Sequence, residues 1–199
     1  MKTLLIATNN PGKIAEITAI LAPSPLKLIT PIDLGLTLSI PKDGQSYFEN
    51  AYKKAAAFAQ ASGLLTLADD SGLEVEVLGG APGVHSHRYL ADPSATDEQR
   101  CQALLNQLSA YPRPWKAAFQ CEIVLCNANE IVLRSHGSCP GEIIPEFRGK
   151  NGFGFDPIFL VEGTHRTMAE LTDEQKNRIS HRAKALQAAW DDLLRFAAS

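Results

Sequence analysis

No stretch of this chain approaches the apolar length needed to cross a bilayer, and the opening Met1-Lys2-Thr3-Leu4-Leu5-Ile6-Ala7 is too brief for a signal-peptide core. No membrane partner is therefore expected, and the cytoplasm is the expected compartment. Positive charge is not in excess either. With 19 Lys and Arg against 22 Asp and Glu, the formal net charge is -3, so the whole-molecule field offers nothing to a nucleic acid. Small anions can still be met by local basic clusters. Cysteine is scarce: Cys101, Cys121, Cys126 and Cys139 show no C-x-x-C spacing, which argues against zinc and disulfides and for buried free thiols. Cys121 and Cys126 would face opposite sides of a strand. No Pro-, Gly- or Ser-rich linker, internal repeat or low-complexity tract divides the chain. The P-loop pattern G-x-x-x-x-G-K-[ST] is also missing, so any phosphate site is of another kind.

What is present is an ordinary globular composition, 45% apolar and 21% charged over 199 residues, enough for one domain or two closely joined lobes. Lys2 to Ala7 reads as a strand that bends through Thr8-Asn9-Asn10-Pro11-Gly12-Lys13 into a helix carrying Ile14, Ile17, Ile20 and Leu21 on one face. Ser46 and Glu49 have capping-box spacing for a second helix through Ala61, which Gly63 ends. Leu64 to Ala68 is a short buried strand, and the alternation of Leu73-Glu74-Val75-Glu76-Val77 predicts a half-exposed one. Thr96 and Gln99 open a third helix through Leu108. Ala117 to Leu125 and Glu130 to Ser135 flank the turn Asn127-Ala128-Asn129, a hairpin. Ile158 to Val161 is a further strand. A last helix from about Ser180 places Leu186, Ala189, Trp190, Leu193 and Leu194 at core-facing spacing.

Four constellations carry chemistry. Asp69-Asp70-Ser71-Gly72 follows an apolar run; taken alone it is a turn, yet an acidic pair at a strand's C-terminal end also sits where open α/β sheets place their sites. Thr8 to Lys13 sets a hydroxyl, two amides, a glycine and a lysine at a helix start, where N–H groups and the helix dipole suit an anion. Phe153 and Phe155 flank Gly154, a place where a ring can stack on a flat ligand. Lys176 with Ser180-His181-Arg182 gathers cationic donors for phosphate or a keto oxygen. His85 and His87 are read as exposed loop residues. Together the four sets describe a site for a magnesium nucleotide.

At this point the chain resembles the inosine triphosphate pyrophosphatase family, the Ham1-like non-canonical purine nucleotide pyrophosphatases. The matching segments are Ala7 to Lys13, Phe48-Glu49-Asn50-Ala51, Ala68 to Leu73, Leu78-Gly79-Gly80-Ala81-Pro82-Gly83, Gly152 to Pro157 and Ser180-His181-Arg182. The resemblance implies hydrolysis of ITP, dITP and XTP to the monophosphate and pyrophosphate. It also implies an α/β fold, elongated and two-lobed, with a mixed twisted central sheet flanked by helices and substrate in a groove between lobes. The single domain would span 1–199, and homodimers are common in the family.

Carried over by position, Asp70 corresponds to the general base and magnesium ligand, and Ser71 beside it contacts substrate. Thr8, Asn9, Asn10, Pro11, Gly12 and Lys13 correspond to the triphosphate loop. Phe153, Gly154, Phe155, Asp156, Lys176, His181 and Arg182 correspond to the nucleoside-binding set, with Arg182 or His181 donating to a 6-keto oxygen. One departure stands out. Many relatives carry glutamate before the glycine that precedes the Phe48 helix, whereas this chain reads Ile40-Pro41-Lys42-Asp43-Gly44. Asp43, Glu49 or Asp69 are the candidates to complete the Mg²⁺ shell alongside Asp70. Two other readings stand beside this one: a Maf-like pyrophosphatase for modified nucleotides, and a nucleotide sensor weakened in catalysis by the altered segment.

Overall fold

The computed structural model describes residues 2–198. Its strands are β1 (Lys2–Ile6), β2 (Leu26–Ile29), β3 (Leu65–Val75), β4 (Trp115–Cys126), β5 (Ile131–Ile143) and β6 (Phe159–Val161), joined in one sheet of order β2-β1-β3-β4-β5-β6. The sheet is mixed: β1 runs parallel to both β2 and β3, whereas β5 and β6 are antiparallel. The helices are α1 (Pro11–Leu21), α2 (Tyr47–Ser62), α3 (Asp97–Leu108), α4 (Asp173–Ile179), α5 (His181–Ala188) and α6 (Trp190–Ala198). Among the described residues no helix is long and apolar enough to cross a membrane.

The residues fall into two compact units. The first takes the chain up to Asp70, Cys121–Gly137 and His181 onward. One core there gathers Leu4, Ile6, Ile17, Leu21, Cys121, Ile123, Leu186 and Leu193; another gathers Leu5, Ala55, Phe58, Val124 and Cys126 under α2. Cys121 and Cys126 thus belong to different cores, as the parity of a strand requires. The second unit, Ser71–Gln120 and Ser138–Ser180, packs Leu73, Val75, Leu104, Leu108, Phe119, Phe155 and Phe159 into a third core. All four cysteines are free and buried, and burial pushes the Cys101 and Cys121 thiols up to about 12, so both stay protonated and unreactive.

Local chemistry explains most element ends. Asn10 caps α1 by accepting from the Lys13 N–H, with Pro11 at the first helical position. Thr96 and Gln99 form the full capping box of α3. Three expectations need correction. The acidic pair does not end a strand: β3 runs through Asp69 and Asp70 to Val75, because Leu73 and Val75 are core residues and keep the chain extended. That strand stops at Val75, and Glu76–Leu78 turns into a 3-10 helix closed by Gly79 in the left-handed region. The last helix is in fact two, α5 and α6, and Lys176 lies on the separate α4, capped by Thr172 and Gln175.

Gly137 of β5 shows how closely α5 is seated within the first unit. A Cβ there would lie 2.2 Å from the His181 carbonyl oxygen and 2.4 Å from the Ala185 nitrogen, backbone atoms that cannot rotate away. Gly137→Ala is expected to destabilise by about 1–3 kcal/mol through overpacking, read as a lower urea midpoint.

Candidate active site

In the first unit, the end of β1 leads through Thr8 and Asn9 to the start of α1. The Thr8 hydroxyl accepts from the Asn10 N–H at 3.2 Å, and the Asn10 side chain accepts from the Lys13 N–H at 3.1 Å. This turn aims Lys13 at β3, where its Nζ lies 2.8 Å from Asp69 Oδ2. The same oxygen accepts from Arg182 Nε at 3.2 Å and Nη2 at 2.9 Å. Arg182 Nη1 donates to Glu16 of α1. Lys54 of α2 donates to the Asp69 carbonyl oxygen. Asp70, nearly buried, accepts from Asn50 Nδ2 at 3.1 Å, and Asn50 Oδ1 in turn accepts from the Gly44 N–H. His181, also buried, opens α5.

The result is a buried cluster of carboxylates on β3 and α1 ringed by Lys13, Lys54 and Arg182. Burial alone would raise the Asp69 carboxyl, but Lys13, Arg182 and Lys54 outweigh it and hold the group well below the usual carboxylate range. Asp69 is therefore ionised at any working pH. Burial, with repulsion from Lys13, lowers Lys54 to about 8 against the attraction of Asp69 and Asp70. Lys54 thus gives up its proton more readily than a free lysine, and a bound polyanion would hold it.

That shift has a sign that can be tested. The unfolded lysine keeps its proton to about pH 10.4, so between about 8 and that value the unfolded state binds more protons. Stability from this site then rises as pH increases through the window, and is flat below it. The stability advantage of the parent over Lys54→Met should therefore grow between pH 7 and pH 10, measured by urea unfolding at each pH.

Asp69 Oδ1 is buried and has no hydrogen-bond partner. An orphaned buried carboxylate oxygen is one that a hard cation can use, so Asp69 Oδ1 fits Mg²⁺, whereas Asp70, the next residue of the strand, faces α2 through Asn50. The other candidates are placed elsewhere. Asp43 is exposed and pairs with Lys53 at 2.7 Å, and Glu49 accepts from the Gln45 N–H at the start of α2. Among the described residues no three His, Cys, Asp or Glu side chains converge on one point.

The second unit holds the rest of the expected set. Lys176 Nζ lies 2.6 Å from Asp156 Oδ2, both side chains almost wholly buried, and 4.6 Å from the centroid of the Phe153 ring. Asp156 Oδ2 also accepts from the Phe153 N–H at 2.9 Å. Gly152 has to be glycine: its φ is 76°, and a Cβ would lie 2.0 Å from Asp156 Oδ2. The two rings part company. Phe155 is a core residue set edge-on to Tyr89, whereas Phe153 is half-buried above Lys176. Ser71 is half-exposed on β3.

Of Arg182 and His181, the two expected donors to a keto oxygen, Arg182 has its guanidinium enclosed, with Nε and Nη2 on Asp69 and Nη1 on Glu16. Lys54, Asn50 and Glu16 escaped the sequence reading. Lys54 follows Lys53 directly, and adjacent helical positions point about 100° apart, so one lysine reaches the surface and its neighbour the acidic pair. The Asn50 signal was within reach in Phe48-Glu49-Asn50-Ala51, one helical turn before Lys54.

Comparisons with known proteins find similarity over nearly the whole chain. The Ham1 family model matches residues 4–192. A curated relative, the dITP/XTP pyrophosphatase of Bacillus licheniformis, is 42% identical over 188 residues, covering 94% of this chain and 95% of its own. A solved HAM1 protein from Coxiella burnetii superposes with a TM-score of 0.89 at 42% identity, covering 98% of this chain and 100% of that one. The Staphylococcus aureus Ham1 protein gives 0.84 at 37% identity, covering 96% and 98%.

Proposed function

The chain belongs to the Ham1 family, and from that premise we propose that it hydrolyses the non-canonical purine nucleotides ITP, dITP and XTP to the monophosphate and pyrophosphate. The observation that carries this reading is the buried cluster at β3, in which Lys13 and Arg182 pair with the Asp69 carboxylate, Lys54 donates to the Asp69 carbonyl, and Asp69 Oδ1 lacks a donor. Such a cluster attracts a polyphosphate and holds a cation at the same place.

Lys13 and the loop Thr8–Lys13 bind phosphate oxygens at the start of α1. Lys54, whose charged form the substrate favours, neutralises a further share. Asp70 would hold the cation, with Asp69, kept ionised by Lys13 and Arg182, offering its unpaired Oδ1. A bound Mg²⁺ supplies neutralisation of the triphosphate, without which a nucleophilic water is repelled. Asp70, oriented by Asn50, accepts the proton of the water that attacks the α-phosphorus, and pyrophosphate leaves. Arg182 serves as the counter-charge of Asp69.

Base choice follows from donors. The Phe153 ring stacks on the purine, Ser71 contacts the nucleotide, and Lys176 presents N–H groups to a 6-keto oxygen. Adenine offers an amino group there and leaves a buried donor unpaired, at about 1–3 kcal/mol. Guanine shares the keto oxygen and is excluded around its 2-amino group. The working form proposed is a cytoplasmic homodimer acting as one domain over 1–199.

With Mg²⁺ present, pyrophosphate release from dITP and XTP should far exceed that from ATP and GTP. Orthophosphate as the primary product, or equal turnover of all five of ATP, GTP, ITP, XTP and dITP, contradicts the reading.

A further inference from the structure

We propose that Asp97, the first residue of α3, is a positioning residue for the nucleobase loop Gly152–Asp156, an inference that rests on the reading of that loop given above. Its carboxylate is divided between two tasks. Oδ2 accepts from the Gly154 N–H at 2.7 Å, a contact between residues 57 apart in sequence. Oδ1 accepts from Arg100 Nη2 at 2.5 Å. Arg100 is itself buried and tied to the start of the helix, its Nη1 donating to the Ala95 carbonyl at 2.6 Å.

Helix capping does not require Asp97. Thr96 and Gln99 already satisfy each other's N–H groups in the capping box, so the carboxylate is available to the loop. The Cys101 thiol, one turn further along α3, lies 3.4 Å from the Gly154 carbonyl. Both polar groups of the Gly154 backbone are thereby engaged by α3, an element anchored through the buried Leu104, Leu105 and Leu108.

Gly154 is the residue at which this matters. It stands between Phe153 and Phe155 in the left-handed region, φ 65°, and a Cβ there would meet nothing within 4 Å. Gly154 has no side chain of its own to pack, so hydrogen bonds to Asp97 and Cys101 position its peptide. Asp156 and Lys176 hold the loop at Phe153; Asp97 holds it at Gly154. A loop freed at Gly154 would still form and still permit the phosphate chemistry, but would bind the base less tightly.

The test is a split between KM and kcat for dITP in purified full-length variants. Asp97→Ala removes the acceptor, and Asp97→Glu keeps the charge for Arg100 and the helix dipole while moving the carboxylate by one methylene. Both should raise KM by about fivefold or more with kcat within about twofold. Asp97→Asn, which keeps an acceptor at the same place, should return KM to near the parent value. Thr96→Ala weakens the same helix start without touching Gly154, and should lower Tm with KM unchanged. An unchanged KM in Asp97→Glu and Asp97→Ala, or an equal rise in Thr96→Ala, overturns the proposal. If Asp97→Ala fails to fold, the Glu and Asn variants decide it. Parent protein that left dITP intact would overturn the activity itself, an outcome distinct from an active parent whose Asp97 variants match it.

Discussion

Asp70→Asn is expected to lower turnover of dITP by about a thousandfold, within the range that a positioned acid or base contributes, while the thermal midpoint stays close to that of the parent. The two side chains have the same shape. The amide oxygen can still accept from Asn50 Nδ2, the contact that orients Asp70, so the local hydrogen bonding survives. What is lost is the negative charge and the proton-accepting oxygen. The cations of the cluster do not depend on Asp70 for their partners, because Lys13 and Arg182 pair with Asp69. Steady-state kinetics beside a melting curve would check both halves. A variant that retained more than a tenth of the parent rate would remove Asp70 from the chemistry.

Arg182→Met should have the largest effect on stability, a loss of about 3–5 kcal/mol, the range for breaking a buried ion pair on one side. Arg182 is fully enclosed and serves two carboxylates drawn from α1 and β3. Its removal leaves Glu16 and Asp69 buried with less counter-charge, and burial then drives both toward protonation. Arg182→Lys keeps the charge without the planar fork that reaches both partners, so an intermediate loss is expected. Adding Glu16→Gln to Arg182→Met should recover part of the deficit, since the two changes share one network and cannot be additive. Urea unfolding of the single and double variants gives the coupling. Full additivity would mean that Glu16 and Arg182 do not interact in solution.

How much of this was legible in the sequence depended on the range of the interaction. The start of α1 was readable because Asn10, Pro11 and the buried Ile17 and Leu21 act within a few residues of one another. The same holds for α3, whose Thr96 and Gln99 cap each other. By that standard α4 should have been found, since Thr172 and Gln175 repeat the signature. The passage of β3 through two adjacent aspartates was not readable. A buried, extended Asp-Asp is tolerated only because Lys13, Lys54 and Arg182 arrive from three separate helices, and Arg182 lies 113 residues away from Asp69.

The site itself divided in the same manner. Residue types and their order marked Lys13, Asp70, Phe153 and Lys176, but which carboxylate faces which cation was a matter of the fold. Asp43 and Glu49 had the right chemistry and are engaged by Lys53 and by the Gln45 N–H. The orphaned Oδ1 of Asp69 is the feature that no reading of sequence would supply, and among Asp43, Glu49 and Asp69 it favours Asp69 as the carboxylate that joins Asp70. Asp69→Asn should accordingly raise the Mg²⁺ concentration needed for half-maximal rate more than Asp43→Asn does.

The most direct test of the account is hydrolysis of dITP in heavy-oxygen water with the products separated and weighed by mass spectrometry. Attack of water at the α-phosphorus, with Asp70 taking its proton, predicts dIMP carrying one heavy oxygen and pyrophosphate carrying none. Heavy oxygen in the pyrophosphate, or dIDP and orthophosphate as products, would contradict it.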